Sequence, residues 1–234
     1  MSAIFKRDFA SFFTSPVGYA VIAGFMFFSG IFFYVQCLYV GTSNMSTVFQ
    51  SMFFIVLFLI PLITMRTIAE DKKQKTDQAL LTSPVSIPSI VVAKFLSALA
   101  LFALCLCSYL IEGIILSFYA KPDWSVIIGN VFGMTVMASS FVALGVFISS
   151  VTESPMVAAV VSFVINVLIS LFDTISASVT WEPLTNLLNA ISFQKKYANF
   201  ALGLISLSDV VFFLSIAAVF LFLTERVISR RRWA

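Results

Sequence analysis

The sequence has no histidine, few charged residues and few cysteines, and each shortage excludes a class of protein. Without histidine the chain lacks the usual general base and the commonest metal ligand. Three cysteines in 234 residues are too few, and odd in number, for a secreted disulfide scaffold. Asp, Glu, Lys and Arg make up only 11% of the chain, against about a quarter in soluble domains. The chain therefore cannot cover a water-facing surface with charge.

Hydrophobic residues make up 60% of the sequence, and 27 residues are Phe. This content excludes intrinsic disorder, which requires low hydrophobicity and high net charge. The net charge of +3 is too small to indicate a nucleic-acid partner, and none is expected. The composition predicts an all-α integral membrane protein, embedded in a lipid bilayer.

Six apolar stretches are long enough to cross a bilayer, which takes about 20 helical residues. Within a single domain covering 1–234, we place the spans at 17–40, 48–69, 88–119, 124–150, 155–179 and 206–228. Most Lys and Arg residues then lie on the side of the N-terminus, and only Lys121, Lys195 and Lys196 lie on the other side. The positive-inside rule therefore predicts that both termini are cytoplasmic.

Two further segments are apolar without being spans. Residues 1–16 place Phe5, Phe9, Phe12 and Phe13 on one helical face, which predicts an elbow helix lying in the inner membrane interface, ended by Ser15-Pro16. Residues 180–205 are too apolar for an ordinary loop and too interrupted to span. They predict an outer hairpin of helices that either enters the membrane again from outside or lies on the outer surface.

The loop at 70–87 is the most charged segment between the termini, with six of the chain's 25 Asp, Glu, Lys and Arg residues. We expect the second span to continue as a helix through Leu80, and Ser83-Pro84 to start another short helix. Lys94, just beyond the loop, is expected to snorkel to the inner headgroups. From composition alone, a solvated connection explains this loop as well as a docking element does.

This loop resembles the inner-loop signature of the ABC-2 family of transporter permeases. The resemblance is carried by Glu70, Thr76, Leu80, Leu81, Thr82, Pro84, Val85, Ser86 and Lys94, whereas Lys75 and Ala93 stand where the family usually has glycine. The N-terminal elbow and the turn Gly145–Glu153 are also similar to this family. The run from Phe193 to Asp209, with the closing Arg230–Trp233, resembles the branch that includes a gliding-motility permease subunit.

The resemblance implies a six-span, type V exporter-like membrane domain with an elbow helix, a cytoplasmic coupling helix and outer re-entrant helices. It implies that the chain lies in the bacterial cytoplasmic (inner) membrane. It also implies three kinds of protein partner: a dimer of cytoplasmic ABC ATPases, a second or paralogous permease, and a periplasmic or extracellular accessory subunit. ATP and magnesium would belong to the ATPase. The residues that it assigns to ATPase coupling are Glu70, Asp71, Thr76, Leu80, Leu81, Thr82, Ser83 and Pro84.

The sequence indicates that ATP is hydrolysed by a separate polypeptide, because this chain contains no G-x-x-x-x-G-K-[ST] phosphate loop. It also contains no G-x-S-x-G with a histidine partner and no H-E-x-x-H. We therefore expect no catalytic residue, bound cofactor or metal in this chain. The function predicted is an exporter permease that works by alternating access. The alternative is a scaffold or assembly subunit of an ATPase-linked envelope machine.

Glu112 is the one carboxylate well inside a predicted span. A charge at the bilayer centre costs about 2.5–3.5 kcal/mol on insertion scales, so such residues usually face the bundle interior or water. Two interpretations stay open. Glu112 belongs either to a substrate pathway or dimer interface, or it is a protonated or water-reached group near the outer mouth.

Overall fold

The computed structural model describes the backbone of residues 1–76, 85–178 and 192–233, and the side chains of 1–76, 85–171 and 192–231. Every regular element in these ranges is a helix, as expected for apolar segments that must satisfy their own backbone groups in lipid. The helices are α1 (Ser2–Thr14), α2 (Pro16–Phe33, extended by the π-helical turn Tyr34–Leu38), α3 (Ser46–Thr64), α4 (Ala69–Lys73), α5 (Ile87–Ser117), α6 (Trp124–Val151), α7 (Pro155–Ser178), α8 (Phe193–Ala201) and α9 (Leu207–Trp233).

Five helical stretches are long and apolar enough to cross a membrane: Pro16–Leu38, Ser46–Lys73, Ile87–Ser117, Trp124–Val151 and Leu207–Arg231. They cover five of the six predicted spans. The remaining predicted span, 155–179, corresponds to α7, whose apolar part with described side chains, Pro155–Leu171, is shorter than a full crossing. The structure thus contains a multi-span helical bundle, and a sixth span at α7 stays a prediction.

Helix α6 forms the centre of the bundle. In its most apolar stretch 78% of the residues are buried, against 28% in α2 and 22% in α9. It packs against α3, α5, α7, α8 and α9. Small residues permit this, as at Gly145, where an added Cβ would lie 2.2 Å from Thr64 Oγ1 of α3. The helices α2 and α9 consequently expose apolar faces on the outside of the bundle.

The second predicted span does not continue as a helix through Leu80, because α3 ends at Thr64 and a bend separates it from α4. Pro61 lacks the N–H that would bond to the Leu57 carbonyl, and Asn166 of α7 donates its amide to that carbonyl at 3.2 Å instead. After the bend, the N–H groups of Ile68 and Ala69 donate to Ser149 Oγ of α6 at 3.1 and 2.9 Å. The interruption is therefore stabilised by two neighbouring helices.

The elbow segment forms a separate helix. Ser15 is extended (φ −113°, ψ 155°) and Pro16 begins α2, so the chain turns at the dipeptide where the sequence predicts an interruption. Phe12 is 3% exposed, and Phe9 and Phe13 pack partly against the core. Phe5 stacks on Phe9 with ring centroids 5.8 Å apart. The aromatic face of α1 thus packs largely on the bundle, mainly along α5.

The helix α8 is the described part of the predicted outer hairpin, and 180–191 lie outside the described residues. The Tyr197 hydroxyl lies within donating distance of two acceptors, Asn130 Oδ1 (2.8 Å) and the Phe49 carbonyl (3.2 Å). Asp209 of α9 accepts from Asn199 at 2.8 Å and lies 3.3 Å from Lys196 Nζ. The polar groups of α8 therefore fasten it to α3, α6 and α9.

Candidate coupling site

A buried lysine joins three separate segments at the end of the bundle where α5 begins. Lys94 is 4% exposed. Its Nζ lies 2.5 Å from Asp71 Oδ2 of α4 and 3.3 Å from Asp8 Oδ2 of α1, and it donates to the Thr67 carbonyl in the bend. Lys94 therefore does not snorkel to the headgroups as the sequence predicts, because two carboxylates hold its ammonium group inside the protein.

Burying an ammonium group is costly unless opposite charge and hydrogen bonds replace its water. Asp8 and Asp71 supply this charge from helices that are far apart in sequence. Arg7 adds a further link, with its guanidinium 2.7 Å from Asp8 and 3.6 Å from Asp71. We call Arg7, Asp8, Asp71 and Lys94 the lysine cluster. It couples the position of the elbow helix to the position of α4.

A second ion pair lies beside the lysine cluster. Arg66, in the bend, forms a two-point pair with Glu70 one turn later, with one N–H to Oε1 at 2.7 Å and the other to Oε2. The same guanidinium donates to Ser15 Oγ at the joint between α1 and α2. Two-point pairing fixes the planes of both groups. The bend is thus attached to the elbow joint as well as to α4.

The two sets of charges surround a cavity of about 340 Å³. Three cationic side chains and three anionic ones line it, together with hydroxyl, amide and apolar groups from Ser11, Phe12, Thr14, Thr67, Gln74, Thr76 and Ser97. The charges are balanced and paired with one another. In the part of the chain that the structure describes, no group of three His, Cys, Asp or Glu side chains is placed to hold a metal ion. The arrangement is suited to holding α1, the bend, α4 and α5 together.

Helix α4 is held at both ends. Ser149 caps its first amides, and Lys72 donates to the carbonyls of Ser150 and, at 3.4 Å, Thr152, at the end of α6. At the other end, the N–H groups of Lys75 and Thr76 donate to the carbonyls of Lys72 (3.1 Å) and Asp71 (2.9 Å). This is a Schellman motif. Its left-handed position is occupied by Lys75, with φ 58°, where the family usually has glycine.

Three of the eight coupling residues predicted from the sequence lie in the described part of the chain. Glu70, Asp71 and Thr76 all line the cavity, and Thr76 Oγ1 lies 3.0 Å from Asp71 Oδ1. The other five, Leu80, Leu81, Thr82, Ser83 and Pro84, lie outside the described residues. The two acidic residues pair with cations of this same chain, which the sequence analysis did not predict.

Sequence reasoning also missed the contributions of Arg7, Asp8, Arg66 and Lys94. A signal was present, because a lysine seven residues into an apolar helix requires a partner. That signal identifies the need for an anion but does not say which anion meets it. Asp8 and Asp71 reach Lys94 only through the packing of α1 and α4 on α5.

Glu112 is separate from this site, about five turns further along α5. It is 6% exposed, and Ser29 Oγ of α2 donates to its Oε1. Its Oε2 is buried without a hydrogen-bond partner among the described residues. The structure therefore does not bring Glu112 together with the coupling residues.

Comparison with known proteins identifies the family. The sequence matches the family described as ABC-2 family transporter protein over residues 3–233. No curated protein matches the chain at a significant level. Permeases of this family are membrane subunits that work with an ATPase partner and are typically non-catalytic themselves. With its apolar helical bundle, and a family match over nearly its whole length, this chain belongs to the ABC-2 family of transporter proteins.

Proposed function

We propose that this chain is the membrane-spanning permease subunit of an ATP-binding cassette exporter, driven by two separate cytoplasmic ATPase subunits that bind ATP and magnesium. The observation that carries the proposal is the lysine cluster. It attaches the segment that the family resemblance assigns to ATPase coupling directly to the elbow helix and to the start of a long apolar helix.

The contacts of α4 explain how force would pass from the ATPase into the bundle. A push on 70–87 displaces α4, whose N-terminus is capped by Ser149 of the central helix α6. The same displacement pulls on Lys94 of α5 through Asp71, and on α2 through the contact between Arg66 and Ser15. Three long helices would therefore move together, which alternating access requires.

The proposal includes six spans, with α7 as the fifth, and both termini in the cytoplasm of a bacterial inner-membrane protein. It also includes an outer re-entrant hairpin that contains α8, and pairing with a second copy or a paralogous permease. The distribution of Lys and Arg supports the orientation. The resemblance to the gliding-motility branch supports a role beside an accessory subunit of the envelope.

The test is to purify the chain with its complex from the native host, identify the copurifying ATPase, and measure ATP hydrolysis with and without the permease. We expect Glu70→Arg to lower permease-stimulated hydrolysis several-fold, because it breaks the pair with Arg66. The charge-swapped double variant Arg66→Glu/Glu70→Arg restores the pair and should recover most of the stimulation.

Lys121→Glu is the matched control, since this exposed lysine lies in the loop after α5, at the opposite end of the bundle. It should leave stimulation unchanged. If no ATPase copurifies, the proposal of an ATPase-driven permease is wrong. If Glu70→Arg assembles normally and stimulates hydrolysis as well as the wild type, the coupling role of this pair is wrong.

A further inference from the structure

Glu112 lies in a part of the bundle without compensating charge. The three helices α2, α3 and α6 contain no Asp, Glu, Lys or Arg at all. In α9, the charged residue nearest this end of the bundle is Asp209, which is already paired with Lys196. None of the ion pairs in the described part of the chain includes Glu112.

The other ionisable groups near this part of α5 are a thiol and two phenols, which are ordinarily uncharged at about pH 7. They are the Cys37 thiol of α2, the Tyr109 hydroxyl of α5 itself and, beyond Phe49 of α3, the Tyr197 hydroxyl of α8. Helix α6 contributes Trp124 and Ile127 beside Gly113. An ionised Glu112 would therefore be a buried carboxylate with one hydrogen bond from a neutral hydroxyl, which is strongly unfavourable.

Two unsatisfied oxygen atoms lie on the same face of α5. Glu112 Oε2 and Ser108 Oγ are both buried without a partner among the described residues, and they belong to residues one helical turn apart. The two groups make no direct hydrogen bond to each other, but a single water between them can bond to both. A bridging water would satisfy both atoms in either charge state, so what favours a neutral Glu112 is the absence of compensating charge around it among the described residues.

A route to this carboxyl group begins at the end of the same pair of helices. A cavity of about 290 Å³ lies between the ends of α2 and α5 and is lined by Cys37, Leu38, Gly41, Thr42, Leu116, Tyr119 and Ala120. Leu116, which lines the cavity, follows Glu112 by four residues and so lies about one helical turn, roughly 5–6 Å along α5, from Glu112. Under the proposed orientation, this is the outer end of the bundle.

We propose that Glu112 is a proton-binding site, with its carboxyl group protonated in this structure and the proton exchanged through the cavity between the ends of α2 and α5. The site takes one proton and lies away from the lysine cluster. The protonation of this carboxyl group, which lies in the contact between α2 and α5, then depends on the pH at the opening of the cavity.

Infrared spectroscopy of the full chain in lipid vesicles tests the protonation state. Ordinary carboxyl groups are ionised at about pH 7, so a protonated-carboxyl band at that pH reports a buried acid. We expect this band in the wild type and its loss in Glu112→Gln, a neutral variant of the same shape that should fold. An unchanged spectrum in Glu112→Gln would overturn the proposal. Loss of the wild-type band on adding sodium at constant pH would also overturn it, in favour of a cation site.

Hydrogen–deuterium exchange tests the route. In D₂O the band shifts as the carboxyl proton exchanges, and Ala120→Leu, which fills the cavity, should slow this shift several-fold. Ala159→Leu, in a different groove between α3 and α7, is the matched control and should exchange at the wild-type rate. Equal rates in wild type and Ala120→Leu would show that the proton does not pass through this cavity.

Discussion

Single side chains carry the contact between the elbow and the rest of the bundle. Lys94 is the clearest, because it has carboxylates from two other helices around it and almost no exposure. Removing one member of such a buried set leaves the other charges uncompensated. That loss exceeds the net stabilisation that the set itself provides.

Lys94→Met should destabilise the protein by about 3 kcal/mol, since Asp8 and Asp71 would lose their buried cation and keep only the half-exposed Arg7 as a shared partner. Thermal unfolding in detergent micelles measures this. Lys121→Met removes an exposed lysine from the other end of α5 and should change stability by less than about 0.5 kcal/mol. A Lys94→Met protein as stable as the wild type would show that the cluster does not hold the elbow.

Gly145→Ala should also destabilise, by about 1–3 kcal/mol, because the new Cβ would overlap Thr64 of α3. Gly30→Ala is the matched control, since nothing lies within 4 Å of a Cβ added there. It should be neutral or stabilise α2 by about 0.5–1 kcal/mol. The comparison is made by the same unfolding measurement, and equal effects of the two substitutions would contradict the close approach of α3 and α6.

At the level of elements, apolar runs predict where helices lie but not where they bend or what they touch. The runs at 88–119 and 124–150 correspond to α5 and α6 within two residues, because twenty apolar residues have few alternatives in lipid. Pro61 signals an interruption near the end of α3, but the groups that stabilise the bend, Ser149 and Asn166, come from distant helices and were not predictable. For the same reason Glu70 and Asp71 could be selected as site residues while their partners could not.

Lys75→Gly should stabilise the end of α4 by about 1 kcal/mol. A non-glycine residue in the left-handed conformation costs about 1–2 kcal/mol, and glycine's greater freedom in the unfolded chain returns part of that gain. Amide hydrogen exchange at residues 75 and 76, whose N–H groups close the motif, should slow about five-fold. Faster exchange in Lys75→Gly than in the wild type would mean that the lysine side chain itself holds this turn.

At the level of the whole molecule, the number of spans decides the orientation of the two ends. If α7 crosses the membrane together with the five candidate spans, both termini lie on the same side. If α7 does not cross, they lie on opposite sides. The side of the membrane on which each terminus lies can be measured without knowing the substrate.

We expect a fluorescent protein fused to either terminus to be fluorescent in a bacterial host, because it folds in the cytoplasm. Alkaline phosphatase, which is active only after export, should be active when inserted at 120–123 and inactive at both termini. Opposite results at the two termini would exclude the six-span arrangement. Activity at 120–123 and at the C-terminus, with none at the N-terminus, is the result expected if α7 does not cross.

The central position of α6 has a consequence for biosynthesis. The helices α2, α3 and α5 all precede it in the chain, yet each packs against it or against its neighbours in the finished bundle. At roughly 5–20 residues per second, α5 leaves the ribosome seconds before α6 is complete. During that interval the faces of α3 and α5 that pack on α6 in the finished bundle have only lipid, the insertion machinery or the earlier helices as neighbours. The first half of the protein therefore enters the membrane before the helix that forms its centre exists, and we expect those faces to be sheltered by the insertion machinery until α6 is made.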